Sequence, residues 1–183
     1  MDHYLDIRVL PDPEFGQVDL LNALYAKLHR VLPSLTQGRV GVSFPEYGKT
    51  LGDCLRLHGT LSDLLNLTEV NWLQGMRDYI RLGEPTKIPA EVSYRTVHRV
   101  QAKSAHNKRK RSVAKGWLTE EEALVRIPDT QRKILKLPYA EMHSMSTGSR
   151  MRLYVELGPL VEVPVAGCFS AYGLSAAATI PWF

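Results

Sequence analysis

The sequence predicts an α+β protein, and three observations lead to that class. Short segments alternate apolar and polar residues, as half-buried strands do, while others repeat apolar residues at steps of three and four, as amphipathic helices do. The third observation is a segment dense in lysine and arginine in the second half of the chain, which favours a basic helix.

Six elements are predicted in the first half of the chain. Residues 3–10 alternate apolar and polar side chains, which indicates a strand. Val18 begins an apolar series at helical spacing, and this helix is expected to end before Pro33. The other four are strands at 40–44, 54–58 and 78–82, and a helix that follows the capping side chains of 60–63. This order predicts a ferredoxin-like βαββαβ domain over residues 1–90.

Residues 91–183 are predicted to form a C-terminal α/β region, because Pro85 and Pro89 indicate a boundary. Thr119 and Glu122 have the spacing of a capping box, which predicts the beginning of a helix. In order, the predicted elements are an extended basic segment at 94–103, a basic helix at about 104–115, a helix from Thr119 to near Pro128, and strands at 139–144, 150–157 and 169–174.

The basic residues are unevenly distributed. Residues 95–116 hold 8 of the 23 lysines and arginines and no acidic residue, although the formal net charge of the whole chain is only +4. Such asymmetry indicates a polyanionic partner. A solvated charged loop or a localisation-type tract would give the same composition.

Composition predicts a cytoplasmic protein. No stretch approaches the roughly 20 apolar residues of a membrane span, and no secretory signal is found at the beginning of the chain. Cys54 and Cys168 form neither a disulfide framework nor a zinc-ligand set. We interpret both cysteines as small core residues in a reducing compartment.

No metal or cofactor is predicted from the motifs. The six histidines form no HExxH or HxH motif, and the sequence contains no DxD pair, no GxxxxGK[ST] loop and no GxGxxG after a strand. These absences disfavour metal-dependent catalysis and nucleotide binding, although metal ligands can also converge from distant positions.

His29 is the first candidate for chemistry in the predicted N-terminal domain. It lies near the end of the first helix, at the edge of the apolar face. An imidazole titrates near neutral pH and can act as a general acid or base, as RNA cleavage without a metal requires. A boundary histidine that is hydrogen-bonded or exposed would occupy the same position.

Two further segments carry polar side chains of interest. The run 144–150 places hydroxyl groups and a glycine before an arginine, which suits phosphate contacts but also fits a polar turn between strands. Tyr172 precedes Gly173, and this pair also fits a tyrosine at a strand end before a turn.

Several short motifs occur in one order along the chain: MDHYLDIR, PDPEF, KLH ending at His29, GVSFP, RVQAKS, RIPDT, S-x-STG, YGLS and PWF. Together they resemble the CRISPR repeat-RNA endoribonuclease of type I-F systems, over nearly the whole chain. The resemblance implies metal-independent cleavage of precursor RNA at the base of each repeat hairpin. Attack by a 2′-hydroxyl would give mature crRNA with a 2′,3′-cyclic phosphate. The product stays bound, and the other subunits of the surveillance complex are the expected protein partners.

The resemblance also implies roles for individual residues. His29 is expected to transfer protons, Ser144 to hold the 2′-hydroxyl and Tyr172 to orient the histidine. Ser146 and Thr147 are expected around the scissile phosphate. A non-catalytic RNA-binding module and a metal-dependent nuclease remain the alternative hypotheses.

The RNA-binding residues implied by the resemblance lie in the second half of the chain. Arg99 and Gln101 are expected to bind base edges, as arginine and glutamine can do in bidentate fashion. The full set is Arg99, Gln101, Lys103, Lys108, Arg109, Lys110, Arg111, Lys115, Ser146, Thr147 and Met151. Two features depart from the family: the basic helix mixes lysine with arginine, and Met151 replaces a stacking aromatic residue.

Overall fold

The computed structural model describes residues 1–101, 105–128, 135–143 and 150–183. The chain divides into two units, one formed by Met1–Arg99 with Leu137–Phe183 and the other by Val100–Lys136. Helices and antiparallel strands occur together, so the α+β class predicted from the sequence is confirmed. None of the described helices is long and apolar enough to cross a bilayer.

The elements follow the predicted order through most of the chain. They are β1 (His3–Val9), α1 (Gln17–Thr36), β2 (Gly41–Ser43), β3 (Cys54–Gly59), α2 (Leu61–Glu69), β4 (Ile80–Leu82), β5 (Thr86–Lys87), β6 (Ser93–Val100), α3 (Ala105–Ala114), α4 (Glu120–Arg126), β7 (Tyr139–His143), β8 (Arg150–Leu157) and β9 (Ser175–Trp182). The strands β1, β2, β3, β7 and β8 lie within one residue of their predicted bounds.

The first sheet of the larger unit has the strand order β2-β3-β1-β4, with β5 also paired to β1, and its pairings are antiparallel. Leu5, Ile7 and Val9 of β1 are at most 1% exposed, so this face of the strand lies in the core. Leu24 and Leu28 of α1 are buried in the same core. Burial of each such leucine contributes roughly 1.5–3 kcal/mol, which holds α1 firmly in place.

Helix α1 continues through Pro33, so the prediction that it ends before this proline is wrong. Proline removes one backbone donor, but the end of the helix compensates with other hydrogen bonds. The hydroxyl of Thr36 donates to the carbonyl of Leu32 at 2.7 Å. Gln37, in the left-handed region at φ 51, donates its N–H to the carbonyl of Pro33. The proline is therefore tolerated within the last helical turn.

Two predicted strands are corrected by the structure. In the predicted strand 78–82, only Ile80–Leu82 is extended, because Arg77–Tyr79 forms a 3-10 turn. The predicted strand 169–174 contains a turn instead, and β9 begins only after it. Gly173 has φ 70, a left-handed conformation that turns the chain and prevents a continuous strand.

The second sheet of the same unit has the order β7-β8-β6-β9. The antiparallel pair of β7 and β8 ends with His143 opposite Arg150. β9 lies at an edge of the sheet, where a strand tolerates a proline such as Pro181. The buried residues of this sheet share the core with α1; they are Val97, Ala140, Met142, Leu153, Val155 and Ile180.

The smaller unit contains α3 and α4, and both predicted helices are confirmed. The predicted capping box is present: the Thr119 hydroxyl accepts a hydrogen bond from the N–H of Glu122, and the Glu122 carboxylate accepts one from the N–H of Thr119. The guanidinium of Arg109 donates to the carbonyl of Ile127 at 2.7 Å, which ties α3 to the end of α4.

Candidate active site

Three segments of the larger unit bring candidate residues together: α1 with His29, the turn before β9 with Tyr172, and β6 with Arg99. The ring centroids of His29 and Tyr172 are 5.2 Å apart, and their planes are inclined by 34°. The guanidinium carbon of Arg99 lies 5.4 Å from the centroid of the Tyr172 ring. One tyrosine ring therefore contacts both an imidazole and a guanidinium.

The backbone of Tyr172 is held by the core. The hydroxyl of Tyr25, which is 0% exposed, donates a hydrogen bond of 2.7 Å to the carbonyl oxygen of Tyr172. Within the turn, the N–H of Ser170 donates to the carbonyl of Leu174, and that of Gly173 donates to the carbonyl of Ser170. These bonds fix the position from which the Tyr172 ring reaches His29.

Gly173 is required by the close approach of this turn to β2. Its carbonyl accepts a hydrogen bond of 2.8 Å from the N–H of Val42. A Cβ atom at Gly173 would lie 2.3 Å from a methyl carbon of Val42, and the φ of 70° is unfavourable for other residues. Both constraints restrict this position to glycine, so the residue next to Tyr172 keeps the turn tight against the sheet.

The electrostatic surroundings of His29 favour the neutral imidazole. Burial lowers the pKa of His29 below its ordinary value of 6.5, and the positive charge of Arg30 lowers it further. An interaction of the imidazole with the backbone of its own residue opposes both effects. Pro33, one turn later, has no N–H to donate to the His29 carbonyl. A half-buried neutral imidazole can accept a proton at neutral pH.

Helix α1 also holds the hairpin strand that leads toward Ser144. The side-chain oxygen of Asn22 accepts a hydrogen bond of 3.0 Å from the N–H of Glu141 on β7. β7 ends at His143, which pairs with Arg150 at the beginning of β8. β7 is therefore attached to the helix that carries His29, and β8 is paired to β7.

Four of the predicted site residues lie outside the described residues. They are Lys103, Ser144, Ser146 and Thr147. Their expected roles remain predictions.

Met151, predicted to take the place of a stacking aromatic residue, lies on β8 opposite Met142 of β7. Its side chain is half-buried and packs against the hydrophobic core. Part of its surface remains exposed and is available for an apolar contact.

The predicted basic helix presents most of its charge to solvent. Lys110 and Arg111 on α3 are exposed, as is Lys115 after it, while Lys108 and Arg109 are half-exposed. Arg109 also binds the end of α4 in the same unit, so one of the predicted RNA-binding cations has a structural contact.

Gln101, the other predicted base-reading residue, follows β6 and is exposed. In the described part of the chain, no group of three or more histidine, cysteine, aspartate or glutamate side chains is placed to hold a metal ion.

The two cysteines differ in their environment, and the prediction that both are core residues is wrong for Cys168. Cys54 on β3 is buried, and burial raises the pKa of its thiol to about 12. Cys168 is exposed because the chain runs along the surface before the turn, where the N–H of Phe169 bonds to the carbonyl of Gly38.

The structure adds two residues that the sequence analysis did not select as site residues. Tyr25 precedes His29 by four residues and holds the backbone of Tyr172, while Asn22 holds β7. Their helical spacing from His29 puts them on its side of α1, and that spacing was the available signal. Their partners could not be identified from spacing alone, because they are distant in sequence.

Comparison with known proteins identifies the family of the chain. The family model of CRISPR-associated protein (Cas_Csy4) matches residues 4–183. The chain belongs to the Cas_Csy4 family. A relative from Escherichia coli (strain UTI89 / UPEC), named CRISPR-associated endonuclease Cas6/Csy4, is 48% identical over 184 residues and is covered over its full length. A relative of the same name from Pseudomonas aeruginosa (strain UCBPP-PA14) is 45% identical over 187 residues, again over the full length of both chains. The predicted membership in the type I-F CRISPR repeat-RNA endonuclease family is confirmed.

Proposed function

We propose that the protein is a metal-independent endoribonuclease that cleaves CRISPR precursor RNA at the base of a repeat hairpin. Membership in a family whose relatives are named CRISPR-associated endonucleases supports a nuclease that processes crRNA. The observation that carries the mechanism is the contact between the imidazole of His29 and the ring of Tyr172, with the pKa of His29 lowered by burial.

The proposed reaction begins with loss of a proton from the ribose 2′-hydroxyl next to the scissile phosphate. The 2′-oxygen attacks phosphorus, and the bond from phosphorus to the 5′-oxygen breaks. The products are a 2′,3′-cyclic phosphate and a 5′-hydroxyl that has gained a proton. A neutral His29 can take the first proton, and the imidazolium so formed can supply the second. No cofactor is needed for this balance.

Tyr172 orients the imidazole in this proposal, since its ring restricts the directions in which His29 can turn. Ser144 is proposed to hold the 2′-hydroxyl, with Ser146 and Thr147 around the phosphate. The attachment of β7 to α1 through Asn22 supports this assignment, because it ties the strand that leads into residue 144 to the helix of the proposed catalytic histidine.

RNA recognition is assigned to the basic residues and to Met151. Exposed lysine and arginine side chains on α3 neutralise backbone phosphates of the stem, while Arg99 and Gln101 bind base edges. The partly exposed thioether of Met151 packs on a base pair as a polarisable apolar group, without the π-stacking that an aromatic residue would supply. These contacts keep the product hairpin bound after cleavage.

The architecture and the cellular setting complete the proposal. We infer a ferredoxin-like domain at residues 1–90 and a C-terminal RNA-recognition region at 91–183. The strand order β2-β3-β1-β4, with a helix after β1 and another after β3, supports the first assignment. The proposed location is the cytoplasm, and the proposed partners are the repeat hairpin and the other subunits of a type I-F surveillance complex.

The substitution His29→Ala tests the mechanism directly. We expect cleavage of the cognate repeat RNA to be abolished while binding of the hairpin is nearly unchanged, because the helix retains its buried face. Cleavage is followed by gel electrophoresis, and binding by titration at fixed salt. His3→Ala on β1, away from the described contacts of Tyr172, is the matched control and should cleave normally. Persistent cleavage by the His29→Ala variant would refute the assignment of His29 as the residue that transfers protons.

Two further experiments distinguish the proposed function from a metal-dependent nuclease and from a non-catalytic RNA-binding module. A 2′-deoxy substitution at the cut site should block cleavage without preventing binding, because it removes the proposed nucleophile. Excess chelator should leave cleavage unchanged; activity lost to the chelator would identify a metal-dependent nuclease. Hairpin binding with no cleavage under any of these conditions would identify an RNA-binding module.

A further inference from the structure

Arg99 has a second contact besides the one expected with RNA. Its guanidinium carbon is 5.4 Å from the centroid of the Tyr172 ring, and that ring is 5.2 Å from the imidazole of His29. We infer that Arg99 is a positioning residue for His29 that acts through Tyr172 and couples recognition of the RNA stem to proton transfer. The inference rests on the proposed function, since it concerns the catalytic histidine.

Strand pairing places Arg99 at this position. β6 runs antiparallel to β9, with Val97 opposite Ser175. Continuing this register along β6 leads toward the residues that precede β9, so the side chain of Arg99 reaches the turn of Tyr172. Val97 is 3% exposed, which fixes the strand in the core next to Arg99. The guanidinium thus extends from a rigid strand and not from a loop.

The ring of Tyr172 is oriented by packing contacts, because the hydrogen bonds of this residue in the described part of the chain involve its backbone. Tyr25 binds the carbonyl of Tyr172, and the bonds of the turn also involve the main chain. Within the described part of the chain, no hydrogen bond holds the phenol hydroxyl. The orientation of the half-buried ring therefore depends on the groups against its faces, of which Arg99 and His29 are two.

A guanidinium is suited both to binding a base edge and to orienting the Tyr172 ring. It can pack over an aromatic ring through a cation–π interaction while its N–H groups form hydrogen bonds in its own plane. When Arg99 binds a base edge, the matched base restricts the guanidinium and, with it, the ring of Tyr172. Binding energy from recognition is then used to orient His29, which raises the rate of the chemical step and not only the affinity.

The test compares the cleavage rates of Arg99→Ala, Arg99→Lys and wild-type protein under single-turnover conditions. The protein is in excess over the repeat RNA, at a concentration that saturates binding. At saturation, a loss of affinity alone no longer affects the rate. We expect the alanine variant to be slower by about 2- to 30-fold at saturation, the span that one cation–π contact supports. Lysine should restore part of this loss, since its ammonium group can still lie over the ring.

A second readout is the pH dependence of the saturating rate. Release of the Tyr172 ring admits water to the imidazole and weakens the burial that lowers the pKa of His29. The ionisation that limits the rate should therefore move to higher pH in Arg99→Ala. The imidazole signal of His29 in NMR titrations of the RNA-free Arg99→Lys protein supplies the same information where the alanine variant does not fold.

Arg95→Ala is the matched control, because Arg95 lies on the same strand with its guanidinium carbon 4.8 Å from the ring of Trp182. Its saturating rate and pH profile should equal those of wild type. The inference is overturned if Arg99→Ala loses affinity while its saturating rate, pH profile and His29 titration are unchanged, or if it cleaves faster. Failure of the proposed function looks different, since His29→Ala would then cleave normally.

Discussion

Acid should destabilise this fold through His58, a histidine that the proposed chemistry does not use. His58 lies on β3, is 0% exposed, and has its Nε2 atom 2.8 Å from the hydroxyl oxygen of Ser43 on β2. Burial, together with the positive charge of Arg56, lowers the pKa of His58 to about 3. Protonation therefore has to be accompanied by exposure of the imidazole, which opens the first sheet.

The size of the effect follows from proton linkage. The unfolded chain binds a proton at His58 with the ordinary pKa of 6.5, whereas the folded protein does so only near 3. The stabilisation is therefore fully present above pH 6.5 and is lost as the pH falls toward 3. Between pH 7 and pH 5 this one group lowers the free energy of unfolding by about 2 kcal/mol. The value changes little with the folded pKa as long as that pKa is well below 5.

Urea denaturation at pH 7 and pH 5 measures this contribution. His58→Gln retains a side-chain amide that can bond to Ser43 but does not titrate in this range. The fall in unfolding free energy between the two pH values should be about 2 kcal/mol smaller in the variant than in wild type. His106→Gln, at an exposed position on α3, is the control. Its free energy of unfolding should fall between the two pH values by as much as that of wild type. Equal falls in wild type and His58→Gln would refute the reasoning.

Two further predictions concern the turn of Tyr172 and the basic helix. Gly173→Ala should slow cleavage strongly because the new methyl group collides with β2 and displaces the tyrosine. Gly75→Ala, at a similar φ of 76°, is the control and should cleave normally, because a Cβ atom there would have no neighbour within 4 Å among the described residues. Equal rates for the two variants would contradict the role of the turn. The affinity for the hairpin should fall steeply as the salt concentration rises. The double substitution Lys110→Ala and Arg111→Ala should reduce the magnitude of the slope of log affinity against log salt by roughly 1.5 to 2. A flat salt response would show that α3 is not the RNA-binding helix.

Local sequence patterns predicted the elements whose cause is local. β1 follows from alternation, and α4 follows from the spacing of Thr119 and Glu122. The end of α1 could not be predicted in this way, because the bonds that compensate for Pro33 include one from the side chain of Thr36. The turn at 169–174 was also missed, since alternation of apolar residues does not reveal a left-handed glycine that packs against β2.

In the candidate site, too, some features follow from local sequence patterns and others depend on tertiary packing. His29 was accessible from the sequence because a histidine at the edge of an apolar helix face is visible in the helical period. The contact with Tyr172 is not, since it depends on how the turn before β9 packs on the core. A role for Arg99 in RNA binding could be predicted from the family resemblance, but its position over the Tyr172 ring depends on the register between β6 and β9.

One helix organises the described part of the site. Asn22, Tyr25 and His29 follow each other at steps of three and four, so they lie along one side of α1. Asn22 binds the strand that leads into residue 144, Tyr25 binds the backbone of Tyr172, and His29 contacts the Tyr172 ring. Because the buried leucines of α1 fix its rotation against the first sheet, these three contacts are set by the same packing that stabilises the fold. A substitution that rotates α1 by even one residue would turn each side chain by about 100° and separate all three pairs at once. These three contacts of the candidate site are therefore formed by folding itself.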